Sequence, residues 1–192
     1  MGKGIKGTKT EINLLKAFAG ECQAKNRYEF FAEKAKKEGY EQIAAIFEKT
    51  ALQEQSHAKQ FFKFMEGGAV EIKAVFATGL TDQTIGNLQT AINEEYNEWS
   101  SLYPQFSETA KAEGFPAIAA IFKLIARVEA EHERRFKKLL QRLEDGTLFR
   151  REQATRWECR KCGFVHEGVE PPKICPACNH PIGYFEVMSD DL

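Results

Sequence analysis

The chain has 192 residues, of which 43% are apolar and 29% charged, and this balance belongs to a folded globular protein rather than a disordered one. Lysine plus arginine number 27 against 28 aspartates and glutamates, for a formal net charge of −1, so there is no basic footprint to draw nucleic acid or an anionic membrane. No window approaches the ~20 apolar residues of a membrane span, and the opening MGKGIKGTKTEINLL lacks the apolar stretch and cleavage site of a secretory leader; the expected location is the cytoplasm.

Residues 8 to about 145 read as helix almost throughout. Thr8-Lys9-Thr10-Glu11 has the form of a capping box, and Ile12, Leu15, Phe18, Ala19 and Cys22 then recur at helical spacing. Gly39 is placed to end this helix, and a second runs from about Tyr40 to Glu66 before Gly67-Gly68. After a connection through Thr78-Gly79, a third is expected from Thr81-Asp82 to Gly114, and a fourth from Pro116, tolerated in a first turn, to Gly146.

The helical region repeats itself. AKKEGYEQIAAIF at 35–47 returns as AKAEGFPAIAAIF at 110–122, an offset of 75 that carries on to Glu54/Glu129, His57/His132 and Phe61/Phe136 and back to Tyr28/Tyr103. Two similar helix pairs joined by a longer middle connection predict a four-helix bundle with a crossover and a pseudo-twofold axis.

Glu54-Gln55-Ser56-His57 and Glu129-Ala130-Glu131-His132 are both E-x-x-H, and residues three apart lie on one helical face. Their flanks align the motif with Ile, Phe and Leu positions that face a core. Glu21 on the first helix and Glu95 and Glu98 on the third are placed to converge with them. Five buried carboxylates without cations would be untenable, whereas two divalent metals supply +4 against −5. Oxygen-rich ligation with two imidazoles suits iron or manganese rather than structural zinc. Glu41, Glu48, Glu94, Glu131 and Glu133 are read as solvated charges, as most helical glutamates are.

After Gly146 the periodicity stops. Residues 1–146 are expected to form the bundle, 147–156 a polar, basic linker and 157–192 a small second domain. That domain is rich in Cys, Pro and Gly and too poor in apolar residues to fold unaided. Cys159-Arg160-Lys161-Cys162 and Cys175-Pro176-Ala177-Cys178, twelve residues apart, place four thiolates tetrahedrally around one metal. Zinc there would be a structural clip and iron a one-electron carrier; fusion to a redox-capable bundle favours iron. His166 and His180 are surplus to a filled four-cysteine site.

The combination AFAGECQAKNRY, the two E-x-x-H motifs, NEEYNE before LYP, REQATRWECRKCGFVHEG and CPACNHP closely resembles the rubrerythrin family over nearly the whole chain. The resemblance implies an all-α ferritin-like four-helix bundle with a di-iron centre, followed by a small rubredoxin-like β domain with one iron on Cys159, Cys162, Cys175 and Cys178. It implies a non-haem di-iron peroxidase that reduces hydrogen peroxide to water in oxidative-stress defence. By the family pattern Glu54 and Glu129 bridge the irons. One iron takes Glu21 and, depending on redox state, Glu98 or His57, and the other takes Glu95 and His132. Glu98 is the ligand linked to peroxidase behaviour, so Glu98 and His57 are the expected catalytic groups. Tyr28 and Tyr103 fall where the family has tyrosines bonding to ligand carboxylates.

Two departures from the family pattern are visible: Cys22 beside Glu21, expected to be a small core residue, and a cysteine spacing shorter than in free-standing rubredoxin. The fourth helix runs ~22 Å past Glu129 before the linker starts. A head-to-tail homodimer, in which each cysteine domain serves its partner's site, is therefore expected. An electron-donating reductase or small redox protein is expected to complete the cycle. The competing readings are a ferroxidase or iron-handling protein, a non-enzymatic electron carrier or zinc-stabilised interaction module, and an oxygen-reducing oxidase.

Overall fold

The computed structural model describes residues 4–76 and 83–189, so Thr78-Gly79 and the expected helix start at Thr81-Asp82 lie outside the described residues. The bundle is built from α1 (Lys9–Lys37), α2 (Glu41–Phe62), a third rod and α5 (Pro116–Glu144). The third rod is α3 (Thr84–Asn97), a π-helical turn (Glu98–Leu102) and α4 (Tyr103–Ala112) in unbroken succession. Thr8 caps α1 by accepting the Glu11 N–H at 3.2 Å, and the Glu11 carboxylate reaches back one residue further than expected, to the Gly7 N–H at 2.7 Å. α2 ends at Phe62, short of Glu66, and residues 69–76 have no regular secondary structure.

The two halves close in the same way. Gly39 and Gly114 both take positive φ (81° and 86°), which lets the Tyr40 and Phe115 N–H groups reach back to the Ala35 and Ala110 carbonyls at 2.9 and 2.8 Å. α1 lies along α2, and α5 lies along both α3 and α4.

Two apolar clusters fill the interior. One holds Tyr28, Phe31, Phe47, Leu88 and Phe136; the other holds Leu14, Phe61, Tyr103, Phe106 and Phe122. The pseudo-twofold axis is metric: Phe47 meets Phe136 at 5.0 Å and 33°, and Phe122 meets Phe61 at 5.0 Å and 31°. Along each rod a glutamate falls between the two clusters: Glu21 between Leu14 and Tyr28, Glu54 between Phe47 and Phe61, Glu95 between Leu88 and Tyr103, and Glu129 between Phe122 and Phe136. Each buried aromatic contributes ~1.5–3 kcal/mol, and together they offset the cost of a polar layer sandwiched between two dry ones.

The C-terminal unit is a three-stranded antiparallel sheet, order β2-β1-β3, from β1 (Thr155–Cys159), β2 (Val165–Gly168) and β3 (Phe185–Val187). Its core is little more than Trp157, Phe185 and the buried Cys159 and Cys175. The short 3₁₀ turn Ile182–Tyr184 rests on the α1–α2 connection, where a Cβ on Gly183 would come 2.0 Å from the Gly39 carbonyl oxygen. Glu41 beside the Tyr184 phenol raises its pKa, a second mark of this contact. Gly183→Ala is expected to undock the sheet, since backbone cannot yield as a side chain can, at a cost of ~1–3 kcal/mol. Faster tryptic cleavage among Arg150, Arg151 and Arg156, with α-helical content unchanged, would show it; cleavage at the wild-type rate would refute it.

Candidate metal centres

Glu21, Glu54, His57 and Glu129 bring one ligand atom each within 4.8 Å of one another, and so do Glu54, Glu95, Glu129 and His132. Glu54 and Glu129 belong to both groups and split their oxygens between them. His57 Nδ1 lies 2.9 Å from Glu54 Oε2 and 3.0 Å from Glu129 Oε1; His132 Nδ1 lies 3.0 Å from Glu54 Oε1 and 2.9 Å from Glu129 Oε2. Glu21 Oε2 is 3.9 Å from the first imidazole and Glu95 Oε1 3.5 Å from the second. Two metals held by these groups would share Glu54 and Glu129, with Glu21 and His57 on one side and Glu95 and His132 on the other.

Hydrogen bonding tests whether metals fit. Glu54 Oε1, both Glu129 oxygens and His132 Nδ1 are shielded from solvent and meet the cluster's own charged groups, at 2.9 to 3.0 Å, while Glu21 Oε2 and Glu95 Oε2 are equally shielded and have no hydrogen-bond partner. Such orphans cost ~1–3 kcal/mol each and are rare in native interiors. Two tyrosines anchor the unshared carboxylates: Tyr28 donates to Glu95 Oε1 at 2.6 Å and Tyr103 to Glu21 Oε1 at 2.5 Å, each reaching across the axis. His132 Nε2 lies 3.1 Å from Gln53 Oε1, which also accepts from Arg135, so the imidazole offers Nδ1 inward. Gln53, next to Glu54 in sequence, had no signal in periodicity to mark it.

Without metal, protons take the place of cations. Burial, then Glu129 and Glu54, push the Glu21 carboxyl well up; burial and Glu54 push Glu95 up to about 8. Against the cost of burial, Glu129 and Glu54 hold His57 at about 10 and His132 at about 12. The histidine contribution to metal-free stability is therefore complete below about 6.5 and lost as pH rises through about 10 for His57 and about 12 for His132. Metal ligation requires the deprotonated forms of Glu21, Glu95, His57 and His132, so loading the bundle at pH 7 is expected to release about four protons and to tighten as pH rises from 6 to 8. A weakly buffered titration with Fe²⁺ reads this directly; loading without acidification would contradict it.

Glu98 lies outside both groups. It lines a cavity of about 800 Å³ between α1 and the third rod, with Oε1 3.9 Å from where a Gly20 Cβ would stand; Phe76, Asn97 and Tyr103 also line it. Burial, then Glu95 and Glu129, raise its pKa well above the carboxylate range. The π turn sets its position. From Glu21 to Tyr28 is seven residues, but from Glu95 to Tyr103 is eight, although the two Tyr–Glu bonds are equivalent. The extra residue is absorbed where Tyr103 N–H returns to the Glu98 carbonyl, five residues back. That change of spacing was legible in the sequence, beneath an offset of 75 that holds only beyond the turn.

Two sequence readings need correction. Glu133 is not a solvated charge: it is buried, accepts the Trp99 indole N–H at 2.9 Å and pairs with Lys137 at 2.6 Å. Glu48 and Glu131 do stay at the surface, paired with Lys36 and Arg134, while Glu94 is half-buried against Arg27. Cys22 is not a core residue either, but lines an outer groove with Phe18, Leu52 and Phe62.

In the small domain the four cysteine sulfurs form one group, with Cys159–Cys178 and Cys162–Cys175 separations of 3.7 Å. Backbone N–H groups of Lys161 and Cys162 point at Cys159, and those of Ala177 and Cys178 at Cys175. Against desolvation, these donors hold the Cys175 thiol near 7, which favours a thiolate ligand. Cys162 is exposed, so the site opens to solvent on one side. His166 and His180 lie outside it; His180 Nδ1 sits 3.0 Å from the Cys178 carbonyl oxygen.

Comparison with known proteins agrees with this geometry. Residues 13–140 match the rubrerythrin family profile, and residues 157–186 that of the rubrerythrin rubredoxin-like domain. A rubrerythrin of Porphyromonas gingivalis is 57% identical over 98% of this chain and 94% of its own length. One from Nitratidesulfovibrio vulgaris is 48% identical over 97% of each. Among solved structures, partially reduced nigerythrin superposes with a TM-score of 0.63 at 29% identity, covering 97% of this chain and 92% of that one.

Proposed function

Because the chain belongs to the rubrerythrin family, iron-dependent oxidoreductases of oxidative-stress protection with a di-iron bundle and a four-cysteine iron domain, we propose that it reduces hydrogen peroxide to water. The single observation that carries this reading is Glu98, an additional buried-edge carboxylate standing between the paired-metal layer and a cavity open to small oxidants. When bound, two ferrous ions supply the two electrons that cleavage of the O–O bond requires, as H₂O₂ + 2e⁻ + 2H⁺ → 2H₂O.

The chain's own residues do the rest. Glu21, Glu54, His57, Glu95, Glu129 and His132 would hold the metals, and Glu98 would be available as an alternative to His57 on the Glu21 side. Tyr28 and Tyr103, both kept protonated by burial and by the carboxylates they serve, fix Glu95 and Glu21 by donating to one oxygen of each. Glu98 offers a carboxyl group to a peroxide arriving in the cavity that it lines. The two apolar clusters exclude bulk water above and below the layer.

Cys159, Cys162, Cys175 and Cys178 hold the iron that returns electrons one at a time from a small redox partner or reductase in the cytoplasm. Within one chain the small domain rests at the α1–α2 turn, thirteen residues of helix, or ~20 Å, from Glu54. A head-to-tail homodimer shortens that gap by offering each bundle its partner's cysteine domain. Among the described residues no helix is long and apolar enough to cross a membrane.

Anaerobic stopped-flow of the reduced, iron-loaded protein against peroxide and against oxygen, following thiolate-to-iron absorption, tests the proposal. Peroxide is expected to reoxidise the cysteine iron at least ~10-fold faster, a barrier difference of ~1.4 kcal/mol. Equal rates would shift the assignment to an oxidase, and a cysteine iron that stays reduced would shift it to iron handling.

A further inference from the structure

A π turn is rarely stable by itself, because it widens the helix and loses the backbone bonds of one α-turn. Here the turn Glu98–Leu102 has no fully buried side chain of its own to hold it. What ties it to the neighbouring helix is the Trp99 indole, whose N–H donates to Glu133 Oε2 on α5 at 2.9 Å. Glu133 is buried, and its other oxygen is met by Lys137 at 2.6 Å, so its charge is compensated. Tyr96 packs edge-on against the same indole at 5.4 Å and 88°, with Lys137 lying over its ring, and this closes the outside of the cluster.

The pseudo-twofold relation shows what the cluster is for. At the position equivalent to Glu133, offset by 75, α2 carries Ala58; three residues after Glu21, α1 carries Ala24 where the third rod has Glu98 three after Glu95. The half of the molecule without an inserted residue and without an extra carboxylate also lacks the buried glutamate. Glu133, the π turn and Glu98 occur together.

We propose that Glu133 is a positioning residue: by accepting the Trp99 N–H it pins the π turn to α5 and so holds Glu98 where it lines the cavity. The charge next to His132 is incidental; the acceptor atom and its place are what matter. The catalytic consequence rests on the peroxidase reading above, whereas the pinning itself does not.

The test uses the full-length, iron-loaded protein. Hydrogen exchange by mass spectrometry compares peptides spanning 98–103 with the equivalent α1 stretch 21–28 as internal control. Glu133→Leu and Trp99→Phe are expected to speed exchange of the turn at least ~10-fold and leave the α1 peptide unchanged. Glu133→Gln, which keeps an acceptor at the same reach, is expected to stay within ~2-fold of wild type. Peroxide turnover then closes a double-mutant cycle: Glu133→Leu lowers kcat ~10-fold alone but less than ~2-fold in a Glu98→Gln background.

Wild-type exchange in both Glu133→Leu and Trp99→Phe would overturn the proposal, as would a Glu133→Gln protein as labile as Glu133→Leu, or equal rate losses in the two backgrounds. If the turn loosens as expected but the wild-type protein does not turn over peroxide, the pin stands and the peroxidase reading falls.

Discussion

Glu129→Ala is expected to empty the bundle of both metals while leaving the cysteine-bound iron in place. Glu129 is shared: one oxygen stands 3.0 Å from His57 Nδ1 and the other 2.9 Å from His132 Nδ1. Its loss therefore costs each metal a ligand at once, and Glu54 alone cannot hold the pair at a fixed separation. Peroxide turnover should fall on the order of 100-fold or more, the upper end of what loss of even an outer-shell partner costs. The metal-free fold should suffer much less, because Glu129 is a source of the repulsion that drives Glu21 and Glu95 to keep their protons. Iron analysis beside a thermal melt separates the two effects. Retention of two bundle irons with near-normal turnover would show that the carboxylate is not a bridge.

Cys175→Ser is expected to have an effect as large by a different route. Cys175 is buried against Trp157 and Phe185, in a core too small to fold a sheet without a metal to cross-link it. Three thiolates and a hydroxyl are a poor iron site, so the thiolate-to-iron absorption should vanish and the small domain should become sensitive to protease. Steady-state turnover driven by an external reductase should fall at least ~100-fold. A single anaerobic turnover of the chemically reduced bundle with peroxide should keep its rate, since none of the six clustered bundle ligands lies in the small domain. Loss of both activities together would mean that the sheet supports the bundle, not only its electron supply.

Much of this architecture was legible because two different periodicities agreed. The 3.6-residue pattern located the rods, and the repeat at 75 identified which glutamates and histidines were equivalent, so Glu54/Glu129 and His57/His132 could be paired before any geometry was known. The two C-x-x-C knuckles carried their meaning in spacing alone. What escaped has a common cause: side chains whose orientation depends on a local departure from the α-helix or on a neighbour distant in sequence. Glu133 follows His132 by one residue and reads as an outward charge until Trp99, 34 residues away, is brought against it by the inserted residue. Cys22 follows Glu21 by one residue and turns outward for the ordinary reason that a helix advances 100° per residue. The seating of Gly183 on Gly39 involves two glycines whose contact is made by backbone, which leaves no pattern in side-chain type.

The seating of the small domain on the α1–α2 turn also determines how defective chains behave in company. A Glu129→Ala chain keeps a sound cysteine domain, and a Cys175→Ser chain keeps a sound bundle. If electrons pass between subunits, chains of the two kinds should rescue each other when refolded together, although neither works alone. Random pairing makes half of the dimers mixed, and each mixed dimer restores one of two routes, so recovery should approach about a quarter of the wild-type rate. Delivery within a single chain would give no recovery at any ratio. The contact between two glycines thus turns a question about distance into one of genetic complementation: whether the unit of catalysis is the chain or the pair.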